Sequence, residues 1–297
     1  MIKTAAALAM RLMAGPWLSS ISPPMTSADR NHRQDQHAGR WHTVGTMLAV
    51  LAVYGFTLAP SVVGGDAGEL VIGAAHGGVL HPPGYPLFGM LGKIFASLPW
   101  GELAWRVNFF SACMGALAAG ILQRAVAAWG GSPWAGVVAA GCFAFAPTVW
   151  EHAISAEVFS LHHVFVAALL WLAVAYGRTQ ESRWVWWGAA VFGLGMSNHH
   201  TILFFGAPLT VWPFLRETGE WLKWRRMAGL GGLFLLGFLP YFALPVIADG
   251  APPVTWGDWS NWSGAWAHFT RADYGSLQLA AGEITVSGGY PARLIAW

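Results

Sequence analysis

The residues best suited to chemistry fall in one short region: Asp66-Ala67-Gly68-Glu69, followed by His81-Pro82-Pro83-Gly84-Tyr85-Pro86. Asp66 and Glu69 stand three residues apart, so on a helical turn their carboxylates share a face. Such a pair can act as a general base, hold a divalent cation, or orient a sugar. It also fits a plainer reading, in which Asp66 caps a helix and the loop is simply hydrated. In the second half, prolines and a glycine stiffen a backbone that cannot be regular helix. A stiff loop presenting His81 beside the amphipathic Tyr85 suits a binding surface or a structural turn.

Other candidates lie farther along. Arg106, followed by Asn108, sits at the entry to an apolar run, where a guanidinium clamps a lipid phosphate or anchors a helix at the interface. Trp150-Glu151-His152 and Glu157 precede His162 and His163, which fall about one turn inside an apolar run, where an ionisable side chain usually faces the protein interior. Asn198-His199-His200 forms a further polar group. The histidines lack His-x-x-x-His or comparable ligand spacing, so hydrogen bonds among them and the acids are favoured over zinc.

The composition says what must position these residues. Of 297 residues, 55% are hydrophobic and only 10% are charged, against about 25% charged in an ordinary soluble domain. A net charge of +2 gives no case for nucleic acid. Nineteen tryptophans against six tyrosines suit a chain with rings at bilayer interfaces. Cys113 and Cys142 lie in apolar runs without metal or redox spacing and read as small core residues. These features exclude a soluble enzyme, a disordered chain and a disulfide scaffold, and leave an all-α polytopic membrane bundle.

Apolar runs near bilayer length occupy 43–63, 107–128, 132–149, 158–177, 184–197, 200–215 and 227–248, which predicts about seven transmembrane helices. Arg178, Arg183, Arg216, Lys223, Arg225 and Arg226 then share one side. Asp66, Glu69, Glu102, Glu151, Glu157, Asp249, Asp258 and Asp273 share the other. Basic loops concentrate on the cytoplasmic side, so the N-terminus is expected inside and the acids outside the inner (plasma) membrane. Residues 1–41 read as a disordered cytoplasmic leader, 42–250 as the membrane domain with an external loop at 64–106, and 251–297 as an external segment running toward a missing C-terminal part.

Several motifs, in order, resemble a known family. They are Pro60-Ser61-Val62-Val63-Gly64-Gly65-Asp66-Ala67-Gly68-Glu69, His81 through Leu87, Trp105 through Ser111, Glu157 through His162, Gly195 through His200, Leu239-Pro240-Tyr241, and Pro252 through Asp258. The resemblance covers about residues 45–275 and is to a multi-pass family that includes a vertebrate transmembrane protein O-mannosyltransferase. It implies a GT-C-type glycosyltransferase fold, with amphipathic helices and a catalytic acid in the first external loop, and a sugar donor linked to polyprenyl or dolichyl phosphate.

The resemblance turns the candidates into roles. Asp66 becomes the general base that deprotonates an acceptor hydroxyl, and Glu69 positions sugar or acceptor. His81 and Arg106 hold the phosphate leaving group. Tyr85, Glu157, Asn198, His199 and His200 line the substrate pocket. Inverting transfer needs no cofactor, although a divalent cation at Asp66 and Glu69 fits the same acids. The partners expected are a lipid-linked sugar, a protein or glycan acceptor, and the bilayer. A transporter or translocase of lipid-linked sugars is the rival reading; it calls for polar residues at the bilayer midplane, where this sequence has almost no charge. A non-catalytic scaffold is a third.

Overall fold

Each apolar run is built around a helix in the computed structural model, which describes residues 29–216 and 218–272. Among these residues the only β pairing is an isolated parallel bridge between Val79 and Thr255. The helices are α1 (Asp29–Phe56), α2 (Ala67–His76), α3 (Pro86–Ala96), α4 (Leu103–Trp129), α5 (Pro133–Ala144), α6 (Pro147–Ala153) and α7 (Val158–Thr179). They continue as α8 (Arg183–Met196), α9 (Ile202–Arg216), α10 (Thr218–Trp221), α11 (Trp224–Phe238), a 3-10 turn (Leu239–Ala243), α12 (Leu244–Asp249) and α13 (Trp262–Phe269). Because α1 begins at Asp29, residues 29–41 of the expected leader are helical and not disordered. The earlier part of that leader, and the tail with Asp273, lie outside the described residues.

Three stretches are long and apolar enough to cross a membrane: α4, α7, and Trp224–Asp249, which joins α11 to α12. A fourth is reached if α5 and α6 count as one span bent by 76°. The bend has a local cause. Pro147 opens α6 and forces Ala146 before it into extended backbone, with ψ 133°. Of the seven expected, α1, α8 and α9 fall outside these four; α8 has 14 residues and α9 has 15, each rising only about 21–23 Å against a hydrocarbon core of about 30 Å.

Small residues let the helices approach closely, as they must where lipid tails remove any hydrophobic drive between helices. Helix α4 lies against α1, α5 and α7, with Ala112, Ala116, Ala118 and Ala119 buried. A Cβ at Gly115 would stand 2.9 Å from the Tyr54 ring and 3.0 Å from Ala153. At the α8–α11 crossing, a Cβ on Gly193 would reach 2.0 Å from the Phe234 carbonyl oxygen. Polar ties are few and specific: the Tyr54 hydroxyl donates to the Ala144 carbonyl at 2.6 Å, and Trp150 Nε1 donates to Thr57 Oγ1 at 3.0 Å.

Helices α2 and α3 are short, and each keeps apolar side chains exposed, Ile72 on α2 and Met90 and Ile94 on α3. They bury Leu70, Val71, Leu87 and Phe88 in one apolar cluster with Phe110 of α4 and Leu161 of α7. That packing fixes the start of α2, where the acids stand, against the long helices. Cys113 and Cys142 are free thiols.

Candidate active site

Asp66 stands at the N-terminal end of α2, but its side chain makes no capping hydrogen bond and is 61% exposed. The plain capping reading is thereby set aside, and the carboxylate remains available. Glu69, one turn on, is 18% exposed and fully engaged by His81. The His81 backbone N–H donates to Glu69 Oε1 at 2.6 Å, and His81 Nδ1 lies 3.1 Å from Oε2. A carboxylate beside Nδ1 places the proton of neutral His81 on that nitrogen. Nε2 is then an acceptor. The Tyr85 hydroxyl donates to it at 3.0 Å, and Asp66 Oδ2 stands 3.7 Å away.

The stiff loop is what holds His81 there. The Pro82–Pro83 bond is cis, Gly84 has φ 101°, and Tyr85 sits in left-handed backbone with φ 43° before α3 begins. A side chain at Gly84 would strain the backbone and press on Leu244 and His268. Remote segments brace the loop as well. The Tyr241 hydroxyl donates to the Pro83 carbonyl at 2.6 Å. Val79 exchanges backbone hydrogen bonds of 3.0 Å with Val254 and Trp256, and the Trp256 ring lies edge-on to His81 at 6.4 Å.

From the loop, an aromatic and polar array runs inward. Tyr85 stacks on His199 at 5.5 Å with 14° between ring planes. His199 Nδ1 accepts the Thr201 backbone N–H at 3.2 Å and pairs with Thr201 Oγ1 at 2.6 Å. Thr201 Oγ1 in turn stands 3.5 Å from Nε2 of His162. Burial pushes His199 down to about 3 and His200 down to about 4, the latter helped by Arg271, so both rings are neutral at physiological pH. His200 packs on Phe269 at 4.6 Å, and its buried Nε2 has no hydrogen-bond partner among the described residues. The Asn198 amide donates to the Val158 carbonyl at 3.1 Å and ties the end of α8 to the start of α7.

Glu157 precedes α7, and its backbone N–H donates to Ser111 Oγ at 3.2 Å. Burial, reinforced by the charge of Asp66, pushes its carboxyl up to about 7. A third carboxyl thus shares the electrostatic field of Asp66 and is partly protonated near neutral pH. Arg106 is placed elsewhere. Its guanidinium donates to the Leu98 carbonyl after α3, and no hydrogen bond or ion pair links it to Asp66, Glu69 or His81.

The structure therefore brings together Asp66, Glu69, His81 and Tyr85, with His199 stacked beneath and Glu157 in electrostatic reach. Among the described residues, no three His, Cys, Asp or Glu side chains are arranged to hold a metal ion. Both oxygens of Glu69 face His81, which leaves Asp66 as the open carboxylate. Reasoning from sequence named Asn108 beside Arg106 without giving it a part; its amide donates to the carbonyls of Ala59 (2.8 Å) and Ser61 (3.1 Å) and so steadies the segment leading to Asp66. It passed over Thr201 and quoted Tyr241 only as part of a motif. A buried Asn within an apolar helix was the available signal for Asn108; the other two become visible only through long-range contacts.

Apolar helices suited to a bilayer, with carboxylates and imidazoles gathered at one end, define a helical membrane protein with a polar site at its boundary. A profile described as the Protein O-mannosyl-transferase TMEM260 N-terminal domain matches residues 66–222, just over half of the chain, and the chain belongs to this family. It is 37% identical over 260 residues to the Protein O-mannosyl-transferase TMEM260 of Mus musculus, covering 83% of this chain and 37% of that protein. It is 34% identical over 254 residues to the Protein O-mannosyl-transferase tmem260 of Dictyostelium discoideum, covering 80% of this chain and 31% of that one. The chain thus spans about a third of the length of these curated relatives. No solved structure matches it.

Proposed function

We propose that this chain carries the catalytic end of a membrane glycosyltransferase. It moves a monosaccharide, mannose by analogy with the names of its relatives, from a polyprenyl-phosphate donor to an acceptor hydroxyl on a protein or glycan. The observation that carries this reading is the pairing of an exposed carboxylate, Asp66, with the Glu69–His81 dyad 3.7 Å away. Asp66 takes the proton of the acceptor hydroxyl as that oxygen attacks the anomeric carbon from the face opposite the phosphate, which inverts the centre. Glu69 holds His81 by two contacts, so the imidazole edge stays aimed at the reacting groups. When protonated, His81 directs an Nε2–H toward charge developing on the phosphate. A phosphate-linked leaving group makes a metal unnecessary.

The same reading takes α1 and the short helices α8 and α9 as crossings, completed by tilt and local thinning of the bilayer, for about seven in all. The N-terminus lies inside and the acids face the external side of the plasma membrane. Arg106, at the entry to α4, belongs in this reading to the membrane boundary, where a donor phosphate would arrive.

The test is Asp66→Asn in the full-length protein, supplied in membranes with radiolabelled polyprenyl-phosphate sugar. Transfer is expected to fall by at least about 100-fold, the usual scale for a lost general base. Transfer at the parental rate by a normally inserted Asp66→Asn protein would overturn the assignment.

A further inference from the structure

Tyr85 and Trp256 both lie against His81, with ring centroids 4.9 and 6.4 Å away. Their surroundings differ. Tyr85 is buried, and is engaged by its hydrogen bond to His81 Nε2 and its stack on His199. Trp256 is 43% exposed. It thus keeps an open apolar surface beside the imidazole that also faces the exposed Asp66 carboxylate, and proton transfer gives that surface no task.

The chain holds this ring in place from several directions. The Trp256 N–H donates to the Val79 carbonyl at 3.0 Å, and Val79, wholly buried, donates its own N–H to the Val254 carbonyl at 3.0 Å. The Trp256 carbonyl accepts Trp259 Nε1 at 2.7 Å. Gly257 follows with φ 81°, and a Cβ there would stand 2.8 Å from His268 Nδ1, so the chain can turn tightly just past the ring. Asp258 closes the turn: its Oδ1 accepts from the Ser260 N–H at 2.9 Å, and its Oδ2 from the Asn261 amide at 3.1 Å. An exposed ring on a braced backbone is preorganised for contact with a ligand. Tryptophans also anchor proteins among lipid headgroups. Trp262 and Trp266 of α13, 85% and 65% exposed and one turn apart, suit that role; Trp256 differs in lying against His81.

One face of a hexopyranose consists of axial C–H bonds, apolar and weakly positive, while its hydroxyls point outward from the rim. The face of an indole is apolar and negative, so the two stack. The rim hydroxyls then meet polar groups, of which Asp66 and His81 are at hand. We propose that Trp256 is the platform on which the sugar of the lipid-linked donor stacks, beside Asp66 and His81. The proposal rests on the reading of this end of the molecule as a sugar-transfer site. It assigns recognition of the sugar to a segment beyond the residues 66–222 that the family profile matches.

Full-length protein in phosphatidylcholine nanodiscs would be titrated with polyprenyl-phosphate mannose and with the same polyprenyl phosphate lacking a sugar. Transfer would be assayed in the same discs. Trp256→Ala and Trp256→Leu should each weaken binding of the sugar-bearing lipid by about tenfold, while Trp256→Phe, which keeps a ring face, weakens it by no more than about threefold. All three should bind the bare lipid within about twofold of wild type, since the ring contacts the sugar and not the phosphate or the chain. In transfer, the loss in Trp256→Ala should appear in KM with kcat nearly kept, as for a contact shared by ground and transition states. Binding of the sugar-bearing lipid at the wild-type level by the Ala and Leu variants overturns the proposal. Equal weakening for both lipids, the mark of a membrane anchor or a brace, overturns it too. So does a Leu variant that binds as well as the Phe variant, or a wild type that binds neither lipid. A wild type that binds with this dependence on Trp256 but transfers no sugar would leave the platform standing and overturn the transferase reading. Transfer by wild type with Ala and Leu variants equal to it would do the reverse.

Discussion

The two ends of the bundle solve the burial of polar groups in different ways. At the acid end, polar atoms are tied one to one: Glu69 to the backbone and ring of His81, Tyr85 to His81 Nε2, Asn198 to the Val158 carbonyl. Partners come from far along the chain, as Tyr241 does to Pro83. At the other end, Arg183 and Arg226 lie over the faces of Trp184 and Trp221 at 4.6 and 5.0 Å. A ring face accepts a guanidinium over a broad range of positions, whereas a hydrogen bond between two side chains tolerates little displacement. Geometry at the acid end is thus set by hydrogen bonds between distant segments, whereas the far end combines ring faces with a local Arg183–Glu181 pair.

Substitutions test that division most sharply at Asp66. Asp66→Asn should reduce sugar transfer by at least about 100-fold, while Gly188→Leu at the far end leaves transfer within about twofold. Equal losses in the two variants would mean that the ends are not functionally separate. Next in size is Glu69→Gln. The amide still accepts from the His81 backbone, yet it no longer fixes the Nδ1 proton with a negative charge. We expect kcat to fall by about 10- to 100-fold with KM nearly unchanged, because the loss lies in orienting the imidazole and not in binding. A rise in KM with normal kcat would instead make Glu69 a direct sugar ligand.

Much of this was legible in the sequence, for physical reasons that differ by residue. The apolar runs announced helices because twenty residues in hydrocarbon must satisfy their own backbone, and every run contains one. The pairing of Asp66 with Glu69 followed from helical periodicity, and the stiff loop followed from its prolines. Which residue served which was not legible. Glu69 faces His81 because the eleven residues between them fold back, and no local pattern encodes that return. That the Arg106 guanidinium also donates to the Leu98 carbonyl was likewise invisible in the local pattern. The number of spans is harder to read, because an apolar run of 14 residues resembles a membrane helix in composition while falling short of the bilayer in length.

The comparison also has a pH arm. Glu157, held up to about 7 chiefly by burial, binds its proton more tightly in the folded chain than in the unfolded one, where 4.5 is its ordinary value. Stability is therefore greatest below that ordinary value, falls as pH rises from about 4.5 to about 7, and is level above. Allowing for partial solvent access, the span is on the order of 2 kcal/mol. Glu157→Gln should flatten the slope, read as the apparent melting temperature of the purified full-length protein across that range. An unchanged slope would place the titrating group elsewhere. Arg226→Gln, outside the reach of Asp66, should leave it as it is.

The smallest effect, and the finest probe of rigid geometry, is expected from Tyr85→Phe. The ring is retained, so its stack on His199 at 5.5 Å and its packing before α3 are preserved. Only the hydroxyl that donates to His81 Nε2 at 3.0 Å is lost. A single hydrogen bond of this kind contributes about 1 kcal/mol, so kcat/KM should fall by roughly fivefold. The split between kcat and KM carries more information than the size, because a lost positioning contact lowers kcat and leaves KM nearly unchanged. If Tyr85→Phe instead raises KM with kcat kept, the hydroxyl belongs to the sugar site, and the His81–Tyr85 bond reports only the unliganded protein.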